Sequence, residues 1–294
     1  MEVAHYNVTL IYPSSYRFAY LLTDICRFFA FGLRELGHRA DMTVNSLDGA
    51  AVNVIVGTHL MTAGDVTAVT GQGLRYIALE SELLSLGPGG QIVSSFQGEA
   101  FAPTLGPLFR AAEAVWDPFH INIVMLRRLG IPAERIKFLS TYGYAAEMRE
   151  IRHRPWAEKD IDALFFGSVT DRRAALLREL EQHMRVVAIL DAPAAFRNDL
   201  IARAKLNINL NATDGYTHMP LTRVSYLLNN AGVLVSEPVD TNPELHPMIT
   251  FTPKEQLVET CRALLASPAT AQLGEQRLAQ FEQIPMAEAL RPML

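Results

Sequence analysis

The sequence is poor in cysteine, has no excess of basic charge and contains no long apolar run. Its two cysteines, Cys26 and Cys261, stand far apart in apolar helix-like stretches. They read as buried free thiols in a reducing compartment, not as a disulfide framework or a metal pair. Lys and Arg number 26 against 31 Asp and Glu, a net charge of −5. The chain as a whole therefore lacks the electrostatic footprint of a nucleic-acid binder, although a local basic groove remains compatible with that charge. No window of 18 or more apolar residues suggests a membrane span; the best candidate, "FAYLLTDICRFFAFGL", is broken by Asp24 and Arg27. The start "MEVAHYNVTLIYP" has neither the basic opening nor the apolar stretch of a signal peptide, so a soluble cytoplasmic protein is expected. No G-x-G-x-x-G follows a strand, which counts against a dinucleotide oxidoreductase. The eight histidines are scattered and show no H-x-x-x-H spacing, so no metal set is expected.

What is present is a core. Hydrophobic residues make up 49% of the chain and charged residues 19%, enough to fold without disorder. Short β-rich runs alternate with helical patterns, the signature of parallel sheets covered by helices. Strands are expected at 7–13, 40–45, 52–59, 74–82 and 135–141, with a long amphipathic helix over 17–38 ending at Gly37. Gly and Pro punctuate 87–107, which reads mostly as loop, followed by a helix and short strand over 105–118. A charged stretch without periodicity, "YGYAAEMREIRHRPWAEK", then marks a domain change. The expected division is a Rossmann-like domain over 1–145, a linker at 146–159, a second Rossmann-like domain over 160–268, and a helical segment, 269–294, packing back towards the first. The fold class is α/β, with the two domains facing each other across a cleft.

In open parallel sheets, ligands bind at the carboxyl ends of the strands. "LFFGSVTDRR" ends a buried strand at Phe166, turns at Gly167 and Ser168, and starts a helix near Asp171. A helix N-terminus with a close glycine backbone suits an anion, and Arg172 and Arg173 add guanidinium charge suited to phosphate. The plainer alternative is a helix capped by Asp171 with solvated arginines. "LNINLNATDGYTHMPLTR" ends a strand in a polar loop whose Asn211, Asp214, Tyr216 and His218 can bond sugar hydroxyls; the alternative is a surface turn. In "TRVSYLLNNAGVLVSE", Arg223 occupies the first turn of a helix, where a cation opposes the helix dipole unless an anion is near. Tyr226, Leu227 and Asn230 share its face. Glu237 follows a buried strand and can accept bonds from a ribose or sugar diol, or simply cap the next turn. Together these residues describe a diphosphate flanked by sugar hydroxyls, a nucleotide-sugar.

The pattern "DALFFGS…RR…L…L", "IARAKLNINLN" and "R-x-x-YLLNNAGVLVSE" resembles the donor half of GT-B-fold glycosyltransferases, most nearly short bacterial members of the family-1 and family-4 groups. "VIVGTHL", "YIALESE", "AVWDPFHINIVMLRRLGI" and "YGY" extend the resemblance over most of residues 7 to 237. It implies a glycosyltransferase that uses a nucleoside diphosphate sugar and no other cofactor, with metal-independent transfer in which arginines and a helix dipole stabilise the leaving diphosphate. Donor binding would fall to Gly167, Ser168, Arg172, Arg173, Asn211, Asp214, His218, Arg223 and Glu237. The sequence departs from such relatives in two places. Met219, Pro220 and Leu221 offer no carboxylate before Arg223, and Asn229 stands eight residues before Glu237 where many family-4 enzymes have Glu.

The first half should hold the acceptor, be it a saccharide, a small molecule or a modified nucleic acid. His59, Glu80 and Asp117 each follow or end a strand and are the candidates for a general base, His59 having an ordinary pKa near 6.5 suited to the task. Glu82 ends its strand in the same way as Glu80. Ser14, Ser15 and Tyr16, between the first strand and its helix, are candidate acceptor contacts, with a helix cap as the plainer reading. Competing functions are glycosylation of a modified base in DNA, nucleotide-sugar epimerisation, and a non-catalytic nucleotide-sugar-binding module.

Overall fold

The computed structural model describes residues 3–190 and 192–294. The chain divides into two compact units, one formed by Met1–Tyr142 with Met286–Leu294 and the other by Gly143–Pro285. The stretch expected as a linker, 146–159, is thus counted with the second unit. Of the expected C-terminal segment, only 286–294 is counted with the first.

The first unit is built on β1 (His5–Leu10), α1 (Thr23–Glu35), β2 (Arg39–Val44), β3 (Val52–Val56), α2 (Ala63–Gly71), β4 (Tyr76–Leu79), β5 (Leu84–Leu86), β6 (Ile92–Ser94), α3 (Phe101–Ala111), β7 (Ala114–Asp117), α4 (Asn122–Arg128) and β8 (Ile136–Phe138). Six strands form a parallel sheet in the order β2-β1-β3-β4-β7-β8, while β5 and β6 pair as a separate antiparallel hairpin. The strands nearest the middle, β3 and β4, are buried along their whole length, as parallel strands covered on both faces must be. α1 is amphipathic and buries Phe28, Phe29 and Leu33 completely. It begins at Thr23, later than the sequence pattern suggests, because a single 3-10 turn at Ala19–Leu22 precedes it.

The segment read as loop over 87–107 contains β6 and the first half of α3. Pro103 lies in the first helical turn, where a missing N–H costs nothing, and Pro107 sits inside the helix. Burial of Phe101, Leu105, Leu108 and Phe109, all at 0% exposure, outweighs the lost hydrogen bond and the ring clash, together about 3 kcal/mol.

The chain returns to the first unit through α10 (Met286–Leu290), which packs on α1 at Gly32. A Cβ there would lie 2.7 Å from Met286 Cγ and 2.8 Å from Leu290 Cδ1, so the helices meet at this distance only because Gly32 has no side chain.

The second unit contains β9 (Ile161–Phe166), α5 (Asp171–Glu181), β10 (Val186–Ile189), α6 (Ala194–Arg203), β11 (Ala204–Asn209), α7 (Leu221–Asn229), β12 (Leu234–Ser236), β13 (Thr250–Phe251), α8 (Leu257–Ala266) and α9 (Thr270–Phe281). Its sheet is parallel, in the order β10-β9-β11-β12-β13. The order reverses between β9 and β11, since the chain goes outward from β9 to β10 before coming back. Crevices that bind ligands open at such reversals. Phe165, Leu206, Ile208, Val235 and Cys261 lie in the core of this unit. Both cysteines are free and buried.

The segment 143–159 is pinned to α7. Asn229 Oδ1 accepts from Ala145 N at 2.9 Å, and Asn230 Oδ1 accepts from Glu150 N and Ile151 N at 2.9 and 3.0 Å. The Tyr226 hydroxyl lies 2.6 Å from both Glu150 Oε1 and Asn198 Oδ1. The face that Tyr226 and Asn230 share with Arg223 is therefore spent on fixing this segment. No helix among the described residues is long and apolar enough to cross a membrane.

Candidate functional site

At the reversal between β9 and β11, three loops and α7 bring most of the expected donor residues together. β9 ends at Phe166, and Gly167 turns the chain with φ +142°. A Cβ at Gly167 would collide with the Arg223 guanidinium. Glycine is thus required twice, for its backbone angle and for the space that Arg223 takes. Thr170 then caps α5, its Oγ1 accepting from Arg173 N at 3.3 Å. The remaining N-terminal amides of α5 carry the positive end of the helix dipole.

The three arginines differ in one respect that decides their chemistry. Arg172 is compensated: its Nη1 and Nη2 donate to Glu237 Oε2 and Oε1 at 2.8 and 2.5 Å, and its Nε donates to Asp214 Oδ1 at 2.7 Å. Asp214 also pairs with Lys254 at 2.9 Å. The Glu237 hydrogen bonds most of all, then those of Asp214, raise the Arg172 pKa, while Lys254 first and Arg172 second hold Asp214 down to about 2. Arg173 is buried and donates only to uncharged oxygens, the carbonyls of Leu210 and Ser168 and the Ser168 hydroxyl. Arg223 is half-buried and donates from Nη1 to Asn209 Oδ1 at 2.8 Å, while its buried Nε has no partner. Among the described residues neither Arg173 nor Arg223 has a carboxylate partner. Both guanidiniums approach the Phe165 ring, at 5.5 and 5.4 Å from its centroid. Burial, followed by the charge of Arg173, pushes the Arg223 pKa down to about 10, so Arg223 remains a cation at neutral pH; burial lowers the Arg173 pKa as well. Two cations without carboxylate partners beside a helix N-terminus are an arrangement chemically suited to an anion.

Glu237, 3% exposed, accepts from the Asn211 backbone N at 2.7 Å as well as from Arg172. Asn211 is itself buried, its Nδ2 donating to the Pro238 carbonyl at 3.3 Å. His218 is half-buried and meets Tyr216 edge to face at 5.9 Å, and burial lowers its pKa. Gly167, Ser168, Arg173 and Arg223 therefore form one cluster. Arg172, Asn211, Asp214 and Glu237 form an adjoining one held by ion pairing.

In the first unit, the expected bases separate by exposure. Glu80 and Asp117 are both at 0% exposure. Burial raises both carboxyls well above the ordinary range, and Glu80 is raised further by the charge of Asp117. Glu80 Oε1 accepts from the backbone N–H groups of Ser81 and Glu82 at 2.9 and 2.7 Å, and Asp117 accepts from Phe119 N and Asn122. These two carboxyls shape the turns after β4 and β7 and are closed to solvent. His59 is nearly buried, and burial pushes its pKa down to about 4, so its ring is neutral. Its Nδ1 lies 3.2 Å from Ser81 Oγ and its Nε2 4.0 Å from Glu82 Oε1.

Glu82 is the carboxylate of this corner that keeps solvent access, with 30% of its side chain exposed. Burial raises its pKa, and Ser95 Oγ donates to it at 2.5 Å. Phe96 covers the corner, its ring 5.0 Å from His59 and 6.0 Å from Tyr16. Tyr16 is half-buried, whereas Ser14 and Ser15 are exposed on the loop after β1. The sequence carries a signal for Glu82, two residues on from Glu80 in "ALESE". It carries none for Phe96, which lies in the stretch read as loop.

No protein-family model matches this chain, and no curated protein sequence does either. Solved structures do. Alr3699/HepE of Anabaena in complex with UDP-glucose is similar with a TM-score of 0.62 at 11% identity, over 98% of each chain. T4 phage BGT in complex with its UDP-glucose substrate gives 0.58 at 10% identity over 96% of each chain. AviGT4, a glycosyltransferase involved in avilamycin A biosynthesis, gives 0.55 at 12% identity, over 98% of this chain and 96% of its own. Likeness at such identities speaks for architecture, and with two parallel-sheet Rossmann-like units the chain has the GT-B fold.

Proposed function

We propose that the protein is a glycosyltransferase that moves a sugar from a nucleoside diphosphate sugar to an acceptor hydroxyl. The observation that carries this reading is the pair of guanidiniums without carboxylates, Arg173 and Arg223, at the sheet reversal of the second unit. Uncompensated cations at the carboxyl ends of parallel strands fit a diphosphate. That structural neighbours were solved with UDP-glucose supports the same ligand class here.

In this reading Gly167 and Ser168 bring their backbone against the diphosphate, and Arg173 and Arg223 stabilise the charge that grows on it as the glycosidic bond breaks. Glu237, oriented by Arg172 and Asn211, faces a donor hydroxyl. Asp214 and His218 close the neighbouring loop. In the first unit, His59 and Glu82 form the basic corner that takes the acceptor proton, while Ser14, Ser15, Tyr16 and Phe96 contact the acceptor. Glu80 and Asp117 hold that corner in shape. Transfer proceeds without a metal ion, the arginines and the α5 dipole taking its place, and the protein works in the cytoplasm.

The test is a thermal-shift screen against UDP, GDP, ADP and dTDP and their common sugars, followed by product analysis with saccharide and modified-DNA acceptors. A shift with one nucleotide family and a glycosylated product support the reading. A shift with no product in either arm, or conversion of the sugar without an acceptor, contradicts transfer.

A further inference from the structure

We infer that Asn209 is a positioning residue that keeps the Arg223 charge available to a ligand, so that the amide at this place sets the site's preference for a diphosphate over a monophosphate. The inference rests on the nucleotide-sugar reading of the site.

Asn209 ends β11 and is 1% exposed. Its two amide ends are distinguishable from the hydrogen bonds around them. Ser236 Oγ donates to the Glu237 carbonyl at 2.7 Å, which uses its only proton. Ser236 must then accept from its other neighbour, Asn209, and the 2.9 Å contact is made by Nδ2. Oδ1 is left to face Arg223, accepting from Nη1 at 2.8 Å. Arg223 is thereby oriented over Gly167 without being neutralised.

An aspartate at 209 has the same shape and would sit at the same distance from the guanidinium. It would turn a neutral tether into a buried ion pair, the arrangement already seen between Arg172 and Glu237. β11 places Asn207 and Asn209 on one face of the strand, Asn211 follows two residues beyond its end, and all three are buried. This row is polar but uncharged, and its Asn209 contacts Arg223, one of the two arginines that lack carboxylates. The site is thus left with two guanidiniums that lack a carboxylate, and the two phosphoryl groups of a diphosphate can engage one each, where a monophosphate has a single such group and a neutral sugar none.

The experiment is calorimetric titration of the full chain with whichever of UDP, GDP, ADP and dTDP binds the wild type, and with its monophosphate. Three proteins are compared: wild type, Asn209→Ala and Asn209→Asp. The wild type should prefer the diphosphate by about 10-fold or more. Asn209→Ala removes the tether to Arg223 together with the bond to Ser236, adds no charge, and should weaken diphosphate binding by roughly 10-fold. Asn209→Asp should weaken it by roughly 100-fold and narrow the gap to the monophosphate, an effect that loss of structure alone does not produce. Far-UV circular dichroism and a cooperative melt establish that each variant is folded.

A folded Asn209→Asp that binds the diphosphate within about threefold of wild type overturns the inference and leaves the nucleotide-sugar reading standing. If Asn209→Asp does not fold, unchanged affinity in Asn209→Ala overturns it equally. A wild type that binds none of the four nucleotides brings down the underlying reading and the inference with it.

Discussion

The guanidinium of Arg172 grips both oxygens of Glu237, at 2.8 and 2.5 Å, with the carboxylate side chain 4% exposed. This pair divides the basic residues of the second unit into two kinds. Arg172 is held by acids and sets the shape of the loop after β11, whereas Arg173 and Arg223 donate to uncharged oxygens and have no carboxylate partner among the described residues. An arginine count alone makes the three equivalent.

Breaking the pair leaves a buried charge without its partner, which costs about 3–5 kcal/mol. Glu237→Ala and Arg172→Ala are each expected to lower stability by roughly 3 kcal/mol in urea denaturation. The double variant should cost much less than the sum, and strict additivity of the two would show that the pair is uncoupled.

Gly167→Ala is expected to cost about 1–3 kcal/mol, because φ +142° is strained for any residue with a Cβ. Its larger effect should be on nucleotide affinity, since the added methyl displaces the Arg223 guanidinium. Equal affinity in a folded Gly167→Ala, read by titration, argues against a site built on Arg223.

His59 makes stability fall on acidification. Its folded pKa, about 4 because of burial, lies below the ordinary value of about 6.5. Between those values the unfolded chain binds a proton that the folded chain refuses. The stability is complete above pH ~6.5 and lost as pH falls towards ~4, by on the order of 3 kcal/mol. His59→Gln should flatten this slope in denaturation curves taken across that window; an unchanged slope would mean that His59 takes a proton without unfolding.

Glu80 acts with the opposite sign. Its carboxyl is raised by burial and by Asp117, so the folded chain keeps a proton that the unfolded chain releases above pH ~4. Its contribution declines as pH rises through the folded value. Glu80→Gln, which keeps the Oε1 acceptor, is therefore expected to be at least as stable as wild type at pH 7 and to retain transfer. Glu82→Gln should keep nucleotide binding and lose transfer by about 100-fold or more, within the usual range for a general base. Transfer assays on the two variants, side by side, decide between these carboxylates.

The parallel-sheet architecture was legible because β3, β4 and β11 are apolar or evenly alternating runs bounded by turn residues. Arg223 was legible as well, since a cation in the first turn of a helix opposes the dipole. What local sequence does not carry is partnership. That Glu237 pairs with Arg172, 65 residues away along the chain, and that Tyr226 and Asn230 fasten the segment 143–159, depends on contacts distant in sequence. The same holds for depth: Glu80 and Glu82 are two positions apart in one motif, yet Glu80 is fully buried and the Glu82 side chain is 30% exposed. The start of α3 was hidden by Pro103 and Pro107, which read as breakers until the burial of Phe101 and Leu105 is known.

The central claim is tested most directly by the affinity of wild type and Arg223→Ala for the nucleoside diphosphate, read as thermal stabilisation. At about 100 times its dissociation constant a ligand contributes about 2.7 kcal/mol, an easily measured shift. The wild type should show that shift with one nucleotide family, and a folded Arg223→Ala should lose it. No shift in the wild type with any of UDP, GDP, ADP or dTDP, or an undiminished shift in Arg223→Ala, would contradict it.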